Sequence, residues 1–195
     1  MNRLESMLRQ AAEDLNRHGH PWALVGGFAI SARATPRFTR DIDIAVAVAD
    51  DAGAEELVRR LLGEGYTFFA SVEHDNGRLA TVRLKHTADG VDVLVDVLFA
   101  SSGIEPEIAE AAEFLEVVPD LILPVATTGH LVALKLLARD DQSRPQDLAD
   151  LRALLETATP EDLDIARKAV SLITNRGYNR DRDLLMSLDD LLTDL

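Results

Sequence analysis

The chain has 195 residues, 47% of them apolar, and a formal net charge of −14. Its length fits one domain, or a domain with a small helical lobe, and its apolar content is enough for a substantial core. The negative charge argues against a surface that binds nucleic acid everywhere, so an RNA partner needs a local basic patch. The absence of cysteine excludes disulfides and cysteine-bound metals. Without a long apolar stretch or a basic leader, we expect a cytoplasmic protein that has no membrane partner.

A helix and a short strand open the chain and lead to a pair of glycines. Apolar spacing predicts a helix over 2–18, and a brief apolar run predicts a strand over 22–25. Gly26 and Gly27 follow at once, before a predicted helix over 28–34. Glycine lets the backbone turn sharply and approach a ligand closely, and the N–H groups at the start of a helix attract anions. The turn is therefore a candidate site for a polyphosphate.

Two aspartates open the next predicted strand, over residues 41–48. The sequence alternates strictly there, which predicts a strand and places Asp41 and Asp43 on the same face. Their Cα atoms are then about 6.5–7 Å apart. Mg²⁺ suits such a site, because it takes one or two carboxylates together with substrate phosphates. The glycine turn and this strand thus predict a site for a metal-bound NTP.

The middle of the chain reads as a helix followed by three strands. The helix is predicted from about residue 50 to 63, where glycines end it. A hairpin is predicted from strands over 66–72 and 79–86, and a third strand over 91–99. That third strand is apolar apart from two aspartates. A charged residue inside an apolar strand needs a partner or an ion.

The last third of the chain reads mainly as helices. Two short strands are predicted over 114–118 and 121–125, and helices from residue 127 or 128, near 145, over 160–174 and over 181–192. We therefore predict a boundary near residue 125. It separates a core, residues 1–125, from a C-terminal helical lobe, residues 126–195.

Lys135 is the one charge between His130 and Arg139 in an apolar helical stretch. Such a lysine either extends its ammonium group into solvent or is held in place to meet an anion. Because burying the charge is costly, we expect an uncharged variant to keep its thermal stability.

The glycine pair followed by Asp41-x-Asp43 resembles the signature of polymerase-β-type nucleotidyltransferases. The wider strings, Gly26 to Ile30 and Arg37 to Asp43, are similar more narrowly to the AbiEii/MenT group of nucleotidyltransferase toxins. The resemblance covers residues 22–155. It implies an α+β fold, in which a nucleotidyltransferase-type mixed β-sheet has flanking helices and a C-terminal helical lobe. One departure is Gly27, which stands where a serine contacts the triphosphate in the polymerase-like pattern, so backbone N–H groups must make that contact here.

The same resemblance assigns further site residues. Nucleotidyltransferases of this type carry a third carboxylate on a neighbouring strand, which implies Asp96 here, with Asp92 as the weaker choice. The toxin group also has a lysine in the context of Lys135, followed by a stretch like that from Arg144 to Leu151. Two acids in this stretch, Asp147 and Asp150, share a helix face. One of them orients the lysine or contacts the nucleotide, and we favour Asp150 as the catalytic residue and Asp147 for the nucleotide.

The resemblance implies an activity as well. Asp41, Asp43 and Asp96 would hold Mg²⁺ (or Mn²⁺), and the enzyme would transfer a nucleoside monophosphate from an NTP to the 3′ end of tRNA. The protein would then be the toxin of a toxin–antitoxin pair. Basic residues lie in two groups that could contact RNA, first Arg33, Arg37 and Arg40, then Arg78, Arg83 and Lys85. Transfer to an antibiotic or to a protein, and a catalytically inactive binding partner, remain as alternatives.

A control site is expected at Thr39, two residues before Asp41. In the MenT group an antitoxin kinase phosphorylates a hydroxyl residue in the matching place, which implies a kinase as the partner here. On an extended strand the Thr39 side chain lies on the same face as both aspartates, so we favour it over Ser31. A phosphate there would add about −1.5 to −2 charges beside the carboxylates.

Overall fold

The computed structural model describes residues 3–75, 77–88, 90–140 and 145–193. Its first half contains α1 (Arg3–His18), β1 (Trp22–Val25), α2 (Gly26–Arg33), β2 (Asp41–Val46), α3 (Asp51–Gly63), β3 (Thr67–Glu73), β4 (Leu79–Ala88) and β5 (Val91–Leu98). Its second half contains α4 (Glu105–Glu110), β6 (Glu113–Val118), β7 (Leu121–Val125), α5 (Thr128–Ala138), α6 (Pro145–Thr157), α7 (Pro160–Asn175) and α8 (Leu184–Thr193). Every element that follows β7 in the described residues is a helix.

The described strands form one mixed sheet in the order β3-β4-β5-β2-β1-β7-β6. In its centre, β1 pairs with β2 in antiparallel fashion and β2 pairs with β5 in parallel. Both central pairings bring candidate site residues together, because Val25 lies opposite Asp43 and Asp43 lies opposite Asp96. The glycine turn and two strands that carry aspartates therefore meet in the centre of the sheet, at the C-terminal end of β1. The mixed α/β architecture predicted from the sequence is confirmed.

The core lies between this sheet and its helices. β1 is buried throughout, whereas β2 and β5 bury mainly their apolar residues, as the alternation predicts. One face of α1 and one face of α7 add apolar side chains to the same cluster. Polar residues fix the starts of several helices: Asp50 accepts a hydrogen bond from the Gly53 N–H (2.9 Å), and Thr159 forms a capping box with Asp162.

Some element boundaries differ from those predicted. β2 ends at Val46, where its partner strand β1 runs out of residues to pair with. α4 was not predicted, because six residues are too few to show helical periodicity. α8 begins later than residue 181 because Arg180 and Asp181 have φ values of 55° and 56°, outside the helical region. No helix in the described ranges is long and apolar enough to span a membrane.

Candidate active site

One cavity of about 810 Å³ collects most of the predicted site residues, but Asp150 and Arg33 are not part of its lining. The α2 turn, the segment before β2, strands β4 and β5, and helices α5 and α6 all contribute to its walls. The polar residues among its described lining are Arg37, Thr39, Arg40, Asp41, Asp43, Thr81, Arg83, Asp96, Ser101, Ser102, Lys135, Gln146, Asp147 and Arg180. These residues are far apart in the sequence, and the sheet order and the packing of α5 and α6 bring them together.

The Asp43 carboxylate fills the space that the missing side chain of Gly26 leaves open. A Cβ atom on Gly26 would stand 2.0 Å from Asp43 Oδ2, and Gly26 has a φ of +62°, in the region that favours glycine. The Gly27 N–H, in the first turn of α2, donates a hydrogen bond to the Asp43 carboxylate. The helix start thus acts as an anion site, and one of the anions it holds is Asp43 itself.

Asp43 lies in an excess of negative charge. Its pKa is raised from 3.8 to about 6, first by burial and then by the negative charges of Asp96 and Asp41. The Lys135 ammonium and the Gly27 hydrogen bond lower the pKa but do not offset these effects. Such a cluster of carboxylates gains from a bound cation, because a positive charge would remove the mutual repulsion.

Asp96 is held by Arg83, its cross-strand neighbour on β4. Arg83 Nε donates to Asp96 Oδ1 (2.6 Å) and Arg83 Nη2 donates to Asp96 Oδ2 (2.5 Å). This bidentate contact raises the pKa of the Arg83 guanidinium, with the charges of Asp41 and Asp43 adding to the effect. Asp92, the weaker choice, lies outside the cavity: its exposed carboxylate pairs with Lys85 (2.9 Å) and accepts from Thr87.

The residues fit a magnesium site that the substrate completes. Within the described residues, no three His, Cys, Asp or Glu side chains form a ready-made metal site. Asp41 and Asp43 nevertheless offer two carboxylates beside a turn that can hold phosphates, and Mg²⁺ is commonly bound in this way. Arg83 donates one hydrogen bond to each oxygen of Asp96, and the remaining lone pairs of this carboxylate could join Asp41 and Asp43.

Lys135 points to two buried acids of α6. Its Nζ lies 2.7 Å from Asp147 Oδ1 and 2.9 Å from Asp150 Oδ2. Asp150 is shared, because Arg37 Nε lies 2.8 Å from Asp150 Oδ1 and Arg37 Nη2 donates to Asp150 Oδ2 (3.0 Å). Gln146 also donates to Asp150 (3.0 Å). The sequence predicted that one acid orients Lys135 or contacts the nucleotide, and in the structure both acids contact Lys135.

Asp147 keeps one hydrogen-bond acceptor unused among the described residues. The residue is only 5% exposed, and its Oδ2 atom is buried without a hydrogen-bond partner. Asp147 lines the cavity as a residue, although this oxygen itself is shielded from solvent. Arg144, at the start of the stretch that resembles the toxin group, lies outside the described residues.

A family model for the AbiEii nucleotidyltransferase toxins of type IV toxin–antitoxin systems matches residues 10–194. The chain belongs to this family. No curated protein is similar enough in sequence to be counted as a relative. Membership of the AbiEii family implies an antitoxin as partner.

Solved structures of other nucleotidyltransferases share the fold of this AbiEii chain. One is the crystal structure of ANT(2″)-Ia in complex with adenylyl-2″-tobramycin, with a TM-score of 0.58, 16% identity, and coverage of 88% of this chain and 97% of the other. The solution structure of the same antibiotic-resistance factor gives a TM-score of 0.56, 16% identity and 97% coverage of both chains. The lincosamide adenylyltransferase LnuA, bound to lincomycin, gives 0.50 and 16% identity, with 79% and 98% covered. At this identity the likeness shows the fold alone.

The arginines predicted to contact RNA divide into different environments. Arg33 donates to the Ala126 and Val125 carbonyl oxygens (3.0 and 3.2 Å) and pairs with Glu113, so it ties α2 to the β6 edge of the sheet. Arg37 is bound to Asp150. Arg40 is exposed and lines the cavity. Of the three, only Arg40 has a guanidinium placed for an incoming ligand.

The second predicted basic group, Arg78, Arg83 and Lys85, also divides among different partners. Arg83 holds Asp96 and Lys85 holds Asp92, whereas Arg78 donates to the Tyr178 hydroxyl (3.3 Å). The role of Arg83 was missed, because it depends on the register of β4 and β5, in which Arg83 lies opposite Asp96.

We expect Gly26→Ala to disturb both the site and the fold. A methyl group there would collide with the Asp43 carboxylate in a backbone conformation that alanine disfavours. We expect transfer to fall at least about a hundredfold because a shift of this carboxylate disrupts the site. The melting temperature should fall as well. Kinetics and thermal melts test this.

Gly63→Ala is the matched control for this prediction. Gly63 ends α3, and a Cβ atom there would meet nothing within 4 Å. This variant should keep its activity and its stability. If Gly26→Ala were as active as Gly63→Ala, the close approach of the glycine turn to Asp43 would have no function.

Proposed function

We propose that this AbiEii chain transfers a nucleoside monophosphate from an NTP to RNA with a free 3′ hydroxyl, most readily the 3′ end of tRNA, and so blocks translation. The observation that carries the proposal is the contact of the Asp41-x-Asp43 strand with the Gly26–Gly27 helix start inside one cavity. Family membership supports nucleotidyl transfer. The cytoplasm, where tRNA is found, is the compartment that this function requires.

The side chains divide the reaction between them. Asp41 and Asp43, with Asp96, would hold Mg²⁺ or Mn²⁺, which stabilises the attacking and leaving oxygens when it is bound. The oxygen of the acceptor hydroxyl attacks the α-phosphorus of the NTP, and the bond from this phosphorus to the β-phosphate oxygen breaks, which releases pyrophosphate. Asp96 either completes the metal site or takes the proton from the attacking hydroxyl.

Lys135 serves the triphosphate in this proposal. Its ammonium group lines the cavity and lowers the pKa of Asp43 through its charge. Asp147 and Asp150 fix the position of the ammonium group, so it is already oriented when a phosphate arrives. An oriented cation stabilises the negative charge that develops on the leaving pyrophosphate. Asp147, which lines the cavity beside Lys135, contacts the nucleotide in this proposal.

The described lining of the cavity lacks the overall excess of acids that a polycationic acceptor would require. It has five basic residues and four acidic ones, although the whole chain has a net charge of −14. The structural relatives named above are antibiotic adenylyltransferases. A polycationic antibiotic would require an acceptor site dominated by acids, which this lining does not provide.

Labelling of RNA tests the proposed function. The purified enzyme is incubated with each labelled NTP and with one of three kinds of acceptor. The acceptors are total cell RNA, other purified protein and a small panel of antibiotics. We expect RNA with a free 3′ hydroxyl to take the label and periodate-oxidised RNA to remain unlabelled. Activity should fall as salt rises, because contacts with RNA are mainly contacts with phosphates. Label on an antibiotic or a protein alone would replace RNA as the acceptor, and no label at all would support an inactive binding partner.

We also propose that the antitoxin controls the enzyme by phosphorylating Thr39. Thr39 lines the cavity, and its Oγ1 would be 2.5 Å from a Cβ atom on Gly27, so the hydroxyl lies against the turn that receives the triphosphate. A phosphate there would repel the triphosphate and compete for the cation. Arg40, on the same cavity wall, could pair with it.

Two substitutions test this control. Thr39→Glu is expected to be inactive, because it places a carboxylate in the phosphate site. Thr39→Val keeps the shape of threonine, so we expect it to transfer normally but to ignore the antitoxin. Peptide mass spectrometry after co-expression with the neighbouring gene product locates the phosphate. A silenced protein without a phosphate, or with one elsewhere, would favour simple occlusion by the partner.

A further inference from the structure

An exposed aromatic ring lies on the wall of the catalytic cavity. Phe38 is 79% exposed, and it lines the same cavity as Asp41 and Asp43. Three other phenylalanines are also exposed, namely Phe68, Phe69 and Phe114, but none of them lines this cavity. Exposure alone is ordinary for a protein surface. The combination of exposure and position separates Phe38 from the others.

The backbone on either side of Phe38 is held firmly. Arg37 pairs with Asp150 and also donates to the Phe38 carbonyl oxygen (3.1 Å). Thr39 lies against Gly27 and donates to the Asp41 carbonyl oxygen (3.3 Å). Because both neighbours are anchored to the protein, the ring between them is presented to solvent on a fixed segment. Such a ring loses little conformational freedom when a ligand binds to it.

A cationic side chain, that of Arg40, lies beside the Phe38 ring. The Arg40 guanidinium lies 5.8 Å from the centre of the Phe38 ring, within the range of a cation–π contact. Arg40 is exposed and lines the cavity as well. Single-stranded nucleic acids are bound by this combination, in which an aromatic face stacks on a base and a neighbouring cation meets the phosphate backbone.

We propose that Phe38 and Arg40 form a stacking platform for an unpaired base near the 3′ end of the RNA acceptor. The proposal rests on the proposed function and names the part of the acceptor that this site binds. Phe38 stacks on a base and Arg40 contacts a phosphate. Neither contact reads the identity of the base, because every base has a π face. The platform positions the 3′ hydroxyl over Asp41 and Asp43.

Because Phe38 is exposed, we assign the platform to the RNA acceptor rather than to the NTP. The residues that face a triphosphate are less exposed than Phe38, because Asp43 and Lys135 are both half-buried. An RNA chain, in contrast, must remain largely outside an 810 Å³ cavity and reach in with its end. Contacts with that chain belong on the exposed part of the wall, where Phe38 lies.

The test measures binding of RNA and of NTP separately. The RNA is a tRNA acceptor-stem mimic with an unpaired 3′ end and a terminal 3′-deoxynucleotide, so that it binds but cannot be extended. We expect Phe38→Ala to weaken its binding about five- to a hundredfold, as for the loss of one stacked base. Phe38→Trp should bind RNA like the wild type. Binding of NTP, measured by calorimetry without RNA, should be unchanged in both variants.

Matched controls separate stacking from general effects. Phe114 is 74% exposed on β6 and does not line the cavity, so Phe114→Ala should bind RNA normally. An RNA with abasic residues at its unpaired 3′ end should bind wild type and Phe38→Ala equally. Arg40→Gln should reduce the salt dependence of RNA binding by about one phosphate contact.

The outcomes distinguish this platform from the proposed function. If the wild type extends RNA but Phe38→Ala binds RNA as tightly as the wild type, the platform is wrong and the RNA acceptor stands. If Phe38→Ala weakens NTP binding and leaves RNA binding unchanged, the ring serves the nucleotide instead. If the wild type neither binds nor labels RNA, both proposals fall.

Discussion

Asp43→Asn and Asp41→Asn should abolish transfer while the protein still folds. Each substitution removes a negative charge from the pair of carboxylates that faces the glycine turn. Losing a carboxylate that binds a catalytic metal costs several kcal/mol of transition-state stabilisation, or about a thousandfold or more in rate. Initial rates of NMP transfer, with circular dichroism as the check on folding, measure the effect.

Asp92→Asn is the control for these variants. It removes the same charge from a neighbouring strand, but Asp92 is exposed, pairs with Lys85 and lies outside the cavity. We expect its rate to equal that of the wild type. A folded Asp43→Asn variant with the activity of Asp92→Asn would refute the assignment of the site.

Asp43→Asn should also be more stable than the wild type at neutral pH when metal is absent. The pKa of Asp43 is about 6 in the folded chain and 3.8 ordinarily, so the folded state binds this proton more tightly than the unfolded state. Asp43 therefore stabilises the fold below pH 4, and this contribution is lost as the pH rises through 6. The stability difference between variant and wild type should grow between pH 4 and 6 and then level off. Urea unfolding in EDTA over this range gives the result.

Lys135→Met should reduce turnover about a hundredfold or more and lower the melting temperature. The catalytic effect follows from the loss of an oriented cation at the triphosphate. The thermal effect corrects the expectation from sequence, which considered only the cost of burying the lysine. Lys135 pairs with two buried acids, and breaking a buried pair costs about 3–5 kcal/mol. For a chain of this size the melting temperature should fall by at least about 5 °C.

A second substitution separates the two effects of Lys135→Met. Asp147→Asn added to Lys135→Met removes the carboxylate that lost its cation, so part of the stability should return. Turnover should remain low, since the cation is still missing. If turnover recovered together with the melting temperature, Lys135 would have a structural role only.

Much of the fold could be predicted from the sequence, because its signals are local. Alternation defined β2 and β5, and apolar spacing defined α1 and α7. The short helix α4 escaped, since one and a half turns have no visible period. Periodicity gives no strand order. That the two strands with aspartates lie side by side in the sheet was predicted from a family resemblance instead.

The candidate site was predicted as a set of residues and not as a network of contacts. Motif spacing brought out Asp41, Asp43 and the glycines. It could not show that Arg83 holds Asp96, because that contact depends on the register of two strands. It could not show that Arg37 pairs with Asp150 either, since 113 positions separate them in the chain. Arg33 was grouped with Arg37 by nearness in sequence, although their guanidinium groups serve different parts of the fold.

Asp150 pairs with two cations, one of which faces the proposed triphosphate site and the other of which anchors the proposed RNA site. It pairs with Lys135 on one side and with Arg37, which anchors the Phe38 segment, on the other. Two cations that share one anion weaken each other's hold on it. When an NTP attracts Lys135 towards its phosphates, Asp150 should bind Arg37 more strongly, which would strengthen the anchor of the Phe38 segment. The two substrates would then bind with positive cooperativity, and by thermodynamic reciprocity each would raise the affinity of the other by the same factor.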